Sequence, residues 1–328
     1  MELNFRLNFK TKIFHRKKVS ELDELIERDS LWIVDRNVMD KFPLSEKNTF
    51  LFSGEQSKNF DHLETCLEWL IDQKADRRTV LVAAGGGATT DFGSFIGSIY
   101  HRGLRVTLVP TTLLSTVDSS IGGKTAVNFV AKNDIGSFYP AEKVIIVKEL
   151  FSSLTEEDIA GGKAEIIKVM LLTGNAGFLS DETDLFSEES LDQAIYDKYS
   201  VIGDDLDDTL GKRAVLNWGH TFGHAVEKYY GISHGMAVAV GMVLIQKYVE
   251  FLGNNCFSFK DLMTLFNKHG IKINIESYLK ESSWKKFIRF DKKRYMDQVS
   301  LVYLESNGCP RIVKRSLNDI LKDLEEMR

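Results

Sequence analysis

A chain of 328 residues can bury one large core or two of ordinary size, and 43% apolar with 27% charged residues is the balance of a globular protein, not a disordered one. The 42 Lys and Arg minus 47 Asp and Glu leave a net charge of −5, and the basic residues form no long run, so an electrostatic footprint for nucleic acid is excluded. The longest apolar run, 236–245, is broken by Gly241 and too short to span a bilayer, the first residues lack a signal-peptide core, and three widely spaced cysteines suit a reducing compartment; a cytoplasmic protein is expected.

The first half alternates short apolar runs with amphipathic segments, which is the rhythm of an α/β domain. Strands are predicted at 31–34, 49–52, 79–84 and 105–109, and the spacing of Leu63, Leu67 and Leu70 predicts a helix over 62–71. The run at 79–84 leads straight into Gly85, Gly86 and Gly87 and then into a predicted helix over 91–100. Strand, glycine turn and helix start let backbone N–H groups approach a phosphate. The segment GGGATTD departs from the dinucleotide fingerprint GxGxxG, because Thr90 stands where the last glycine belongs, and a tight turn is the plainer explanation of three glycines. Asp35, just past the first strand, offers an acceptor for ribose hydroxyls, although such a residue is ordinarily a turn or cap residue.

The segment 110–133 is polar, glycine-bearing and too elaborate for a plain connector. Asp118, Lys124, Lys132 and Asn133 within it suit an oxygen-rich anion, and a solvated hairpin accounts equally well for the composition. Beyond Val147 the periodic segments lengthen and become helical, at 156–172, 191–201, 216–230 and 237–252. A boundary is therefore expected near residue 150, between an α/β domain of residues 1–150 and a mostly helical domain of 151–328. Thr155 and Asp158 form a capping-box pattern, and Glu165 and Lys168, three apart, read as an ordinary surface ion pair.

The stretch RAVLNWGHTFGH, residues 213–224, reads as one helix. His220 and His224, four apart, then project from one face, and with His234 three of the seven histidines fall within fifteen residues. A lone histidine is ordinarily a satisfied core residue. A cluster points to a metal or an anion, and spacing does not say which.

In this order and at nearly constant spacings, GGGATTDFGSF, YHRG, VPTTLLSTVDSSIGGKTAVN, KNDIGSFY, GGKAEIIK, RAVLNWGHTFGHAVE and SHGMAVAVGM resemble the motifs of the 3-dehydroquinate synthase family, over about residues 30–305. The resemblance implies a sugar-phosphate cyclase, a carbon–oxygen lyase with a Rossmann-like NAD-binding α/β domain, a helical domain and an active site in the cleft between them. It also implies a homodimer and a divalent metal, zinc foremost and cobalt as an alternative, held by Glu165, His220 and His234. Asp35, Asn37, Glu55 and Lys58 match the adenosine side of NAD. Gly86 and Gly87 match the pyrophosphate turn, and Asp91, Thr111, Thr112 and Lys132 the remainder of the cofactor pocket. Asp118, Lys124, Lys132, Asn133, Lys168 and Lys198 fall on substrate and catalytic positions, as do Arg213, Asn217 and His224. Arg102 matches an arginine that reaches a neighbouring site across the dimer, and one of Lys292 and Lys293 matches a late phosphate-binding lysine.

The reaction so implied converts 3-deoxy-D-arabino-heptulosonate 7-phosphate to 3-dehydroquinate and phosphate, a step of the shikimate pathway toward aromatic amino acids. Three features depart from the family pattern. Met236 stands where the family reads HGE, the hairpin at 129–133 is one residue shorter than HPLGKN, and the chain is shorter than typical members. Rival readings are a related cyclase acting on an aminated analogue or on sedoheptulose 7-phosphate, and a metal-dependent polyol dehydrogenase. Retention of Lys132, Asn133, Arg213 and Asn217 favours the carboxylate-bearing substrate.

Overall fold

The computed structural model describes residues 9–180, 182–281, 283–290, 294–295 and 298–327. The chain divides into two compact units, Met1–Leu154 and Thr155–Arg328.

The first unit is built on a six-stranded parallel sheet in the order β1-β8-β5-β4-β2-β3. Its strands are β1 (Lys12–Arg16), β2 (Leu31–Asp35), β3 (Thr49–Phe52), β4 (Val80–Gly85), β5 (Arg105–Pro110) and β8 (Lys143–Val147). A separate antiparallel pair is formed by β6 (Lys124–Val127) and β7 (Ile135–Phe138). The four predicted strands are present within a residue at each end, and β1 and β8 are additions.

Alternation decides which side chain meets which layer. Trp32 and Val34 of β2, with Val80, Val82 and Ala84 of β4, enter one cluster together with Val147 and Leu150. Leu31, Ile33 and Leu81 point the other way, onto Leu63, Cys66 and Leu70 of α1 (Phe60–Asp72) and Phe92, Phe95 and Ile96 of α2 (Gly87–Ile99). Strands buried on both faces read as continuous apolar runs, which explains why these were legible. The segment 110–133, expected to be irregular, contains a short helix α3 (Leu113–Val117) and β6. Thr112 caps α3 by accepting from the Ser115 backbone N–H at 3.0 Å.

Strand order reverses between β2 and β4, since β2 continues to β3 on one side and β4 to β5 on the other. The carboxyl ends of these two strands carry Asp35 and Gly85, and open parallel sheets take ligands at such a reversal.

The second unit is mainly helical, with α4 (Glu156–Thr173), α5 (Glu188–Ile202), α6 (His220–Tyr230), α7 (His234–Phe251), α8 (Phe259–Lys268), α9 (Ile275–Lys280) and α10 (Leu317–Glu326). It also contains a three-stranded antiparallel sheet, β11-β10-β9, from β9 (Arg294–Tyr295), β10 (Gln298–Ser306) and β11 (Cys309–Ser316), which the sequence reading did not anticipate. The expected capping box starts α4: Thr155 Oγ1 accepts from the Asp158 N–H at 3.1 Å, and Asp158 Oδ2 accepts from the Thr155 N–H at 3.2 Å. The central element is α7, buried along nearly its whole length from Ala237 to Val249. Each buried Val, Leu or Ile there contributes about 1.5–3 kcal/mol, so packing and not propensity fixes this helix. Gln246, fully buried, binds the backbone of Leu304 on both sides and so joins α7 to β10.

One sequence expectation is overturned here. Residues 213–224 are not a single helix: a 3-10 turn spans Lys212–Asn217, Gly219 adopts φ +83°, and α6 begins only at His220. A left-handed residue ends any right-handed helical run, and only glycine adopts it at little cost. Arg213 and Asn217 therefore lie off the helix that carries His220 and His224.

Candidate functional site

Two sets of residues emerge, one in each unit. In the first, α2 starts at Gly87 without any side chain capping its first turn, directly after the end of β4. A Cβ at Gly86 would come no closer than 3.5 Å to Thr112, and one at Gly87 no closer than 3.5 Å to Ser119. Packing inside the protein thus does not demand glycine at either position, whereas a phosphate pressed against backbone N–H groups does. Beside this turn the Asp35 carboxylate accepts from the Asn37 N–H at 2.9 Å and from Thr89 Oγ1 at 3.3 Å. Thr111 is buried and donates its N–H to the Gly85 carbonyl at 2.9 Å, which extends the β4–β5 pairing to the edge of the turn.

Lys58 is 1% exposed, and its ammonium lies 2.5 Å from Asp91 Oδ2 and 2.6 Å from Asn133 Oδ1. Expected on the adenosine side, Lys58 thus joins two residues assigned to other parts of the pocket. Burial pushes Asp91 up to about 6 even though the Lys58 ammonium works in the opposite direction. Glu55 is exposed and accepts from Asn128 Nδ2 at 2.8 Å. The shortened hairpin turn is held by Asp134, whose carboxylate accepts the N–H groups of Phe129, Val130 and Ala131 at 2.9, 3.1 and 2.9 Å. Those hydrogen bonds, that of Ala131 first, keep the Asp134 carboxyl below its usual range. Lys132 and Asn133 sit exposed in this turn, Asn133 with φ +57°, and Lys124 opens β6, also exposed. Asp118 follows the last residue of α3, and Arg102 is exposed with φ +64°.

In the second unit, His220, His224 and His234 each offer a ring nitrogen, all within 4.8 Å of one another. The ring centroids are 5.4 Å apart for His220 and His224, 5.4 Å for His220 and His234, and 5.6 Å for His224 and His234. The first and last residues that form this cluster open α6 and α7, and those helices cross closely because a Cβ on Gly241 would strike the Gly219 carbonyl at 2.0 Å. A second close crossing, Gly161 of α4 against Gly235 of α7, falls one residue from His234 and one helical turn before Glu165.

Glu165 and Lys168 are not the surface pair their spacing suggested. They are 2% and 3% exposed, with Lys168 Nζ 2.5 Å from Glu165 Oε2. Glu165 Oε1 is buried with no hydrogen-bond partner among the described residues. An orphaned carboxylate oxygen costs more than a lost hydrogen bond unless something polar or cationic meets it. Three imidazole nitrogens are a donor set that suits zinc or cobalt, so the histidines present fit a divalent metal; the converging group is His220, His224 and His234, and Glu165 is not part of it.

In the same unit, Lys198 on α5 and Arg213 are buried. Arg213 Nε donates to the Asp205 carbonyl at 3.1 Å, while the Asp205 carboxylate accepts the N–H groups of Leu210 and Lys212 at 2.7 and 2.8 Å. Burial acts to raise the Asp205 carboxyl, but these backbone donors outweigh it and hold it below the ordinary value. Asn217 ends the 3-10 turn, half-buried. Lys292 and Lys293 lie outside the described residues. Sequence reasoning missed Glu227, which contacts His234; its place three residues beyond His224 on the same helix was the available signal.

No helix among the described residues is long and apolar enough to cross a membrane. In fold, the chain resembles 2-deoxy-scyllo-inosose synthase, solved with carbaglucose-6-phosphate, NAD+ and Co2+, with a TM-score of 0.80 at 24% identity over 96% of each chain. It also resembles the 2-epi-5-epi-valiolone synthase ValA of Streptomyces hygroscopicus subsp. jinggangensis 5008, solved with NAD+ and Zn2+, with a TM-score of 0.78 at 19% identity over 100% of this chain and 99% of that one. The fold is that of the two-domain sugar-phosphate cyclases. Residues 48–161 match the 3-dehydroquinate synthase N-terminal model and residues 162–294 the C-terminal model. A 3-dehydroquinate synthase of Methylacidiphilum infernorum (isolate V4) is 36% identical over 288 residues, 83% of this chain and 79% of that protein. The chain belongs to the 3-dehydroquinate synthase family.

Proposed function

We propose that this chain converts 3-deoxy-D-arabino-heptulosonate 7-phosphate to 3-dehydroquinate and phosphate, as a cytoplasmic homodimer that uses NAD and a divalent metal, zinc foremost. The observation that carries the proposal is the convergence of ring nitrogens of His220, His224 and His234 within 4.8 Å of one another, in a unit whose α4 also holds the partnerless buried oxygen of Glu165, within a chain of this family. Glu165, His220 and His234 would hold the metal, and the turn at Gly86 and Gly87 with Asp35, Asn37, Thr111 and Thr112 would hold NAD. Asp91, Lys58 and Glu55 complete the cofactor set.

When bound, the metal acidifies the substrate hydroxyl it meets, and NAD takes up a hydride and later returns it. The chain's own residues bind, orient and protect. Arg213, its guanidinium already fixed from one side by the Asp205 carbonyl, presents a planar fork to the substrate carboxylate. Lys124 and Asn133 in the first unit and His224 in the second, with Lys292 or Lys293, each carry a group that would suit a phosphate, which this chain of net charge −5 would otherwise repel. Lys168 neutralises one oxygen of Glu165 and leaves the other available. Once the substrate carries a ketone, the neighbouring C–H is acidic, and the departing phosphate is itself the base that takes that proton. The residues on the phosphate therefore control elimination by orientation. Re-reduction, ring opening and an intramolecular aldol step then close the carbocycle, so electrons balance with no net change in NAD.

Turnover tests this. With NAD, zinc and the heptulosonate phosphate, free phosphate should rise without accumulation of NADH. A folded, metal-loaded protein that releases no phosphate would contradict the proposal, and NADH accumulation without phosphate release would favour a polyol dehydrogenase.

A further inference from the structure

We infer that Glu227 is a positioning residue for His234, holding its imidazole in the tautomer that presents Nε2 as a donor to the metal. This rests on the metal assignment proposed above. His234 Nδ1 lies 2.9 Å from Glu227 Oε2. A carboxylate oxygen at this distance accepts the Nδ1–H, which leaves Nε2 as the ring nitrogen turned to a metal. The two side chains are 28% and 26% exposed, so the bond is partly shielded from competing water.

The sequence of α6 explains how one helix supplies both parts. His220, His224 and Glu227 stand at i, i+4 and i+7, which is one face of a helix. His220 contributes to the cluster directly, and Glu227 reaches the histidine that opens α7. Carboxylates on the outer nitrogen of a ligating imidazole fix its orientation and raise its basicity. Glu227 on α6 thus supplies a carboxylate to the imidazole that opens α7.

Zinc affinity, measured by competition with a chelator in the absence of substrate and NAD, tests the role without reading turnover. Glu227→Ala should bind zinc about ten- to a hundredfold more weakly than the parent. Glu227→Gln, whose amide oxygen still accepts the Nδ1 proton, should recover most of that loss. A Glu227→Ala protein that folds and binds zinc as tightly as the parent overturns the inference. A parent that does not bind zinc at all overturns the metal assignment instead. If Glu227→Ala does not fold, the imidazole nitrogen chemical shifts of His234 in the metal-free parent decide the matter: protonated Nδ1 with bare Nε2 is expected, and protonated Nε2 with bare Nδ1 contradicts it.

Discussion

The Lys58 ammonium is sealed against the Asp91 carboxylate at 2.5 Å, with Lys58 1% exposed. Because Lys58 also donates to Asn133 at 2.6 Å, the helix that follows the glycine turn is tied to the hairpin turn that carries Lys132 and Asn133. If the turn holds NAD and Asn133 the substrate, as proposed, a change at one should be felt at the other. Lys58→Met should weaken NAD binding and, in the same variant, raise KM for the sugar phosphate. An effect on NAD alone would contradict the link.

Asp91 gives the fold a dependence on pH. Its folded value of about 6 lies above the ordinary carboxylate value, because burial disfavours the charge and Lys58 offsets only part of that cost. The proton is held more tightly in the folded state than in the unfolded one. Its stabilising contribution is fully present below the unfolded pKa of about 4 and is lost as pH rises through about 6. The parent should therefore gain stability relative to Asp91→Asn as pH falls from about 7 to about 4, read by urea unfolding. A difference that stays constant across that range would place the Asp91 pKa at its ordinary value.

The histidines should separate by role. His220→Ala should abolish zinc binding, while His224→Ala should retain the metal and lose turnover by at least about a hundredfold. Glu165→Gln should weaken zinc binding, since the orphaned oxygen loses its charge. All three histidines offer nitrogens within 4.8 Å, so equal metal loss in both alanine variants would make His224 a ligand in place of Glu165.

Gly219→Ala should destabilise the second unit by about 2–5 kcal/mol, from a left-handed backbone plus overpacking. Its φ is +83°, and a Cβ there would meet Met242 Cγ at 2.6 Å and the Val238 carbonyl at 2.7 Å. Thermal unfolding checks this. A variant as stable as the parent would mean that the break before His220 is not structurally required.

The central strands of the sheet were legible because burial on both faces leaves an uninterrupted apolar run, as in 80–84. By contrast, β1 reads KIFHR, and its edge position leaves all five residues at least partly exposed, so no such run marks it. The hairpin of β10 and β11 had a signal in Asn307-Gly308, with Gly308 at φ +76°, but it lies beyond the last periodic segment at 237–252, where no element is predicted. The helix break at Gly219 was hidden because Arg213, Asn217, His220 and His224 keep helical spacing across it. At the site, residue types and order pointed to the metal and cofactor sets. Spacing along one helix could not reveal that Lys168 is buried on Glu165, or that Glu227 reaches the histidine of another helix.

Substrate choice bears most directly on the function proposed. Supplied with NAD and zinc, the protein should convert 3-deoxy-D-arabino-heptulosonate 7-phosphate to phosphate and an equal amount of 3-dehydroquinate, with kcat/KM far above that for sedoheptulose 7-phosphate, which lacks the carboxylate. Arg213→Lys should erase most of that preference, by about tenfold or more, because a point charge cannot replace the planar fork. Equal or faster turnover of sedoheptulose 7-phosphate by the parent, or a carbocycle other than 3-dehydroquinate, would contradict it.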